Sequence, residues 1–211
     1  MVKQITSELK RHAPFTAFGA VTGIIGMVII VYGDFLSHIS PNSEHVFYVL
    51  HPSHVFLSAL VTTSLYMSYG KRKIWVAVLI GYTGSIGIAT LSDSIIPYLG
   101  ETLLDLPYKG IHIGFIEEPM LTNPTAFLGI AIACWRPITR FPHAGHVLLS
   151  TWASLFHIIM ALGPTLGWIQ VLAIFLFLFL AVWIPCCVSD IVYPVLFARG
   201  RAPMLKEVKP A

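Results

Sequence analysis

Apolar stretches of membrane-crossing length alternate along this chain with short segments that hold nearly all of its charge. Between Ala13 and Gly33 there is no Asp, Glu, Lys or Arg, and the run closes at Asp34. Residues 46–70 form a second uncharged run and 74–92 a third, which is expected to continue past Asp93 to Tyr98. A fourth extends from about Ile111 to Trp135, interrupted by Glu117, Glu118, Pro119 and Pro124. From Phe141 to Ser189 there is again no Asp, Glu, Lys or Arg. A crossing takes about 20 apolar residues, so this last stretch is too long for one and divides at the turn signal Gly163-Pro164-Thr165-Leu166-Gly167. The pattern predicts an all-α, polytopic integral membrane bundle of about six transmembrane helices.

The basic residues orient such a bundle, because cytoplasmic loops are rich in Lys and Arg. With the N-terminus inside, the cytoplasmic segments hold Lys3, Lys10 and Arg11, then Lys71 to Lys73, then Arg136 and Arg140, then Arg199, Arg201, Lys206 and Lys209. Those are twelve of the thirteen basic residues; Lys109 alone falls outside, in a loop with Glu101 and Asp105. Both termini are therefore expected on the cytoplasmic side, with residues 199–211 as a basic tail. The opening Lys3, Lys10 and Arg11 resemble the basic region of a signal peptide, but the apolar run behind them is too long and reads as a first span.

Composition narrows the function classes. Charged residues are 11% of the chain and apolar residues 56%, against roughly 25% charged in soluble domains. The expected surroundings are the lipid bilayer, and the low charge argues against a nucleic-acid partner. Cys134, Cys186 and Cys187 form no C-x-x-C and have no evident base beside them, which argues against thiol chemistry. Neither H-E-x-x-H nor a phosphate-binding glycine loop occurs.

Two passages of the chain match each other. His51-Pro-Ser-His54-Val-Phe-Leu-Ser58 and His143-Ala-Gly-His146-Val-Leu-Leu-Ser150 both read H-x-x-H-V-x-L-S, and Ser92-Asp93 to Pro97 and Ser189-Asp190 to Pro194 both read S-D-x-x-x-P. The second His and the Asp are 39 residues apart in the first copy and 44 in the second. Each copy holds three spans, about 13–99 and 111–198, so the second must enter the membrane from the opposite side. The expected architecture is one transmembrane domain built as a 3+3 inverted repeat, an arrangement frequent in transporters. The match is poor in the first spans, where Thr16-Ala-Phe18 can be set on Thr125-Ala-Phe127 only with unequal spacing to the histidines.

The repeated residues are also the ones with chemistry. At helical spacing His51, His54 and Ser58 share a face, as do His143, His146 and Ser150, and the second stripe continues through Ser154 to His157. Asp93 and Asp190 lie about 12 Å along a helix from the nearest charged loop residues. An ionised Asp at that depth costs at least ~2.5 kcal/mol on insertion scales, so each needs a His, a cation or a proton. Glu117 and Glu118, just after His112, fall on the side where the topology also puts His51, His54 and Asp93. Imidazole with carboxylate suits a divalent metal ion such as zinc or iron. Two functions are expected. One is a transporter or channel for a divalent metal ion, or a proton-coupled carrier, with ligands among His51, His54, Asp93, His112, His143, His146, His157 and Asp190. The other is a membrane-embedded zinc or iron enzyme for a small apolar, lipid-like substrate, with Glu117 or Glu118 as general base.

Overall fold

The computed structural model describes residues 2–68, 73–137 and 140–188, with Tyr193 and Phe197; of 2–8, 11, 12, 140–143 and 187 it describes the backbone alone. These residues are almost wholly helical, and there is no strand among them. In chain order the helices are α1 (Val2–Tyr32), α2 (Leu36–Ser68), α3 (Ile74–Thr90), a π-helical turn (Leu91–Ile95), α4 (Ile96–Leu103), α5 (Gly114–Glu117), α6 (Pro119–Trp135), α7 (Arg140–Ala161) and α8 (Trp168–Cys187). Five helical stretches are long and apolar enough to cross a membrane: Ala13–Tyr32, Leu36–Ser68, Ile74–Leu103, Ala144–Ala161 and Trp168–Cys186.

Two boundaries differ from the sequence pattern. The second span starts at Leu36, ten residues before the uncharged run, so that Glu44 and His45 ride on its first turns. The fourth expected stretch is broken. Residues 111–113 are not helical, α5 is a single turn, and α6 begins only at Pro119. Proline has no N–H with which to continue α5 but suits the first turn of a new helix, and it pushes the residue before it out of the helical region. Glu118 accordingly sits at φ −124°, ψ 59°. At 17 residues, α6 is roughly 25 Å long and is not among the five long apolar stretches.

α2 is the central helix. It packs on α3, α6 and α7, while α1 packs on α7 and α8. Small residues permit the closest approaches, as expected where helices associate in lipid. Gly129 of α6 lies against the Phe56 carbonyl, Ala59 and Leu60 of α2, and Gly19 of α1 lies against Thr151 of α7. Around α1, α7 and α8 a core forms from Met27, Leu155, Ile159, Ile174 and Leu178. The connections 33–35, 104–113 and 162–167 meet at one end: Tyr32 stacks on Trp168, the Tyr32 hydroxyl donates to the Leu166 carbonyl, and the Tyr108 amide donates to the Ala161 carbonyl. This is the acidic end of the bundle, with Asp34, Asp105, Glu117 and Glu118; the opposite, basic end holds Lys10, Lys73 and Arg136.

Candidate functional site

Asp93 lies in the π-helical turn between α3 and α4. Pro97, four residues on, has no N–H to give the Asp93 carbonyl, and the chain widens there, the Ile96 amide reaching back to the Leu91 carbonyl. Asp93 is fully buried. Its Oδ2 meets Nδ1 of His54 at 2.7 Å and Nδ1 of His51 at 3.0 Å. Its Oδ1 accepts from the hydroxyls of Ser92 at 2.6 Å and Ser150 at 2.7 Å. Ser154, one turn from Ser150, donates to the Ser92 carbonyl and holds α7 to the π turn.

Four donors around one carboxylate offset the cost of burying its charge, which an unpaired Asp could not bear in an apolar bundle. With Asp93 ionised, both imidazoles donate from Nδ1, and each Nε2 is left as a lone-pair acceptor. Nε2 of His51 and Nε2 of His54 are buried and have no hydrogen-bond partner among the described residues. The His54 ring lies parallel to that of His146, centroids 5.8 Å apart. The His51 ring is closed in by Gly114, where a Cβ would come within 2.7 Å of Nε2.

Toward the acidic end lies a second pairing. His157 Nδ1 donates to Glu101 Oε1 at 2.7 Å, and its Nε2 accepts the His112 amide at 3.3 Å, which fixes the neutral Nδ1–H tautomer. The other Glu101 oxygen accepts the Gly110 amide. Glu101 and His157 thus clasp the 104–113 connection onto α7. A third group is more exposed. Glu117 Oε2 lies 3.4 Å from His112 Nδ1 and accepts the Tyr48 hydroxyl. Partial burial, with the nearby Glu44 and Glu118 carboxylates, raises the Glu117 carboxyl above its ordinary value despite the Ile113 amide bond that opposes it. Partial burial lowers the His112 imidazole, against the pull of Glu44 and Glu101. The two shifts bring acid and base closer together.

Between the groups stands Phe47, fully buried and one turn before His51 on α2. Its ring stacks on His51 with centroids 5.3 Å apart, meets His157 edge-on at 5.5 Å and lies 6.4 Å from His112.

The structure therefore joins His51, His54 and Asp93, and adds His146 and Ser150 from the second motif to the same cluster. His112 and His157 fall in the neighbouring groups, and Glu117 with His112. Glu118 is exposed at the α5–α6 break and joins none of them. His143 lies on the first turn of α7 with its side chain outside the described residues, and Asp190 lies outside them altogether. Among the described residues no group of three or more His, Cys, Asp or Glu side chains is arranged to hold a metal ion. Phe47 and Tyr48 carry no signal in the sequence, whereas Glu101 does, eight residues and about two turns from Asp93. No family model, no curated protein and no solved structure matches this chain.

Proposed function

We propose that this protein moves protons across a membrane, as a proton channel or the proton-carrying part of a coupled transporter, with Asp93, His51 and His54 as the central station. The observation that supports this most is the pair of buried imidazoles sharing Oδ2 of Asp93, each with a bare Nε2. A proton taken at either Nε2 makes that ring cationic beside the carboxylate. The pair is then neutral overall, so protonation removes net charge from the interior. A ring that has become cationic can pass its Nδ1 proton to the shared oxygen, and the other ring takes a proton from that oxygen when it is the Nε2–H tautomer with Nδ1 bare; His146 stacks next to His54. Two parallel imidazolium rings at that spacing would repel, so protons pass His54 and His146 one at a time.

The sequence-based metal readings have less geometric support, because among the described residues no group of three or more His, Cys, Asp or Glu side chains is arranged to hold a metal ion and Glu118 is exposed at the α5–α6 break. For topology we infer six crossings, α6 being the short one, with the basic end and both termini cytoplasmic. Two relationships support a 3+3 inverted repeat. α1 packs on α7 and α8 as α6 packs on α2 and α3. Gly19 meets Thr151 where Gly129 meets Ala59, and each of those partners lies eight residues after the first His of its motif.

Purified protein in liposomes holding a pH-sensitive dye tests the function. An imposed membrane potential should drive proton entry, Asp93→Asn should abolish it, and by the repeat Asp190→Asn should do so too. Folded wild-type protein that moves no protons would sink the proposal, and zinc or iron uptake without proton movement would return the metal carrier to first place.

A further inference from the structure

The three groups of titratable residues do not form an unbroken hydrophilic path. From the acidic end, Glu117, Tyr48 and His112 are reachable from water, and the next proton acceptor inward is Nε2 of His51. Phe47 and Gly114 both stand against that ring. The Phe47 face covers the imidazole plane, and the Gly114 main chain covers the Cδ2–Nε2 edge. Neither surface offers a side-chain polar atom. Gly114 is itself held down, its carbonyl accepting the buried Thr122 hydroxyl of α6 at 3.0 Å. A larger residue at 114 would run into His51, so the close cover depends on glycine at this position. His157 cannot serve as a bypass, since Glu101 and the His112 amide occupy both of its nitrogens.

We infer that Phe47 and Gly114 form the selectivity gate at the acidic end of the path, an apolar closure over His51 that excludes hydrated ions and admits protons only. An apolar constriction excludes ions by keeping water out. A proton needs no hydration shell once an acceptor is within reach, and a small tilt of the Phe47 ring or the 111–117 segment would let one water bridge His112 or Glu117 to Nε2 of His51. The stacked Phe47 ring also favours His51 when it is cationic, since a cation over an aromatic face is attracted to it. The gate thus holds the arriving proton on its inner side.

This inference rests on the proton-transfer reading, and its test separates the two. Diethylpyrocarbonate acylates a water-exposed imidazole nitrogen and is read at His51 by mass spectrometry, whether or not the protein moves protons. In the full-length protein in liposomes, His51 should resist the reagent in wild type, react faster in Phe47→Leu and faster still in Phe47→Ala, as water enters beside the ring and the 111–117 segment moves off the Nε2 edge. In the same liposomes Phe47→Ala should add potassium permeability to the proton flux, while wild type passes protons alone. Unchanged His51 labelling in folded Phe47→Ala and Phe47→Leu protein would overturn the gate, as would wild-type labelling as fast as in either variant. A proton-silent wild type with graded labelling in the variants would reject the transport reading and leave the closure standing.

Discussion

Ser150 donates to Oδ1 of Asp93 at 2.7 Å, and this bond ties the second histidine motif of the chain to the first aspartate motif. In sequence the two are 57 residues apart. In space the serine that ends H-x-x-H-V-x-L-S on α7 completes the donor set begun by His51 and His54 on α2. Among the described residues, α2 and α7 press their polar stripes together around the Asp93 carboxylate.

Removing that hydroxyl should be felt as an electrostatic loss with little change in shape. Ser150→Ala leaves Asp93 three donors, and a hydrogen bond to a charged group contributes about 1.5–3 kcal/mol in soluble proteins, less in membranes, where the reference state finds other partners. A loss of about 1 kcal/mol follows, seen as a lower thermal midpoint in detergent. Because the carboxylate loses a stabilising donor, Asp93 should hold a proton more readily, and a carbonyl infrared band of protonated Asp93 should grow relative to wild type. An unchanged band together with unchanged stability would show that Ser150 does not serve Asp93.

The exposed pair at the acidic end gives a pH prediction with a definite sign. The Glu117 carboxyl is raised, so the folded chain holds its proton more tightly than the unfolded one; its contribution to stability is present below the ordinary Glu value and lost as pH rises through the raised value. The His112 imidazole is lowered, so its contribution is present above the ordinary His value and lost as pH falls toward the lowered one. Glu117→Gln should therefore steady the protein slightly at neutral pH and lose that advantage in acid; with Glu117 40% exposed the effect is small. Carbon-13 titration of the two side chains checks the directions. A Glu117 midpoint at or below the ordinary value would contradict them.

Much of this site could be read along the chain, and the remainder required knowing which helices are neighbours. Helical spacing puts His51, His54 and Ser58 on one face, and the depth of Asp93 demands a partner; both statements describe single helices, and His51 and His54 meet Asp93 together. The repeat matches His146 by order with Asp190, which lies outside the described residues; the stacking of His146 on His54 is not legible in that order, because a shared face says nothing about what stands opposite it. Phe47 is an aromatic residue in an apolar run and gives no signal until three imidazoles surround it. The late start of α6 was legible in Glu118-Pro119, but hydropathy averages over a missing N–H and extended the span across it.

The glycines give the most direct test of how the helices meet, because one atom is added at each. Alanine favours a helix by about 1 kcal/mol over glycine, so Gly87→Ala, whose added Cβ meets nothing within 4 Å, should stabilise the protein. At Gly19 the new atom would lie 3.0–3.3 Å from the Thr151 side chain, which can rotate; gain and crowding should nearly cancel. At Gly129 the new atom meets the Phe56 carbonyl, then the Leu60 amide nitrogen at 3.2 Å and the Ala59 Cβ at 3.1 Å. Backbone atoms of α2 cannot step aside, and overpacking of this kind costs about 1–3 kcal/mol. Thermal midpoints in one detergent should therefore fall in the order Gly87→Ala, wild type with Gly19→Ala, then Gly129→Ala. Since α2 also carries His51 and His54, displacing α6 should disturb the Asp93 cluster, and Gly129→Ala should lose proton flux beyond what its stability explains. A Gly129→Ala protein as stable as wild type would mean that α6 does not approach α2 at this point, and with that contact the equivalence of Gly19 and Gly129 in the two halves would fall.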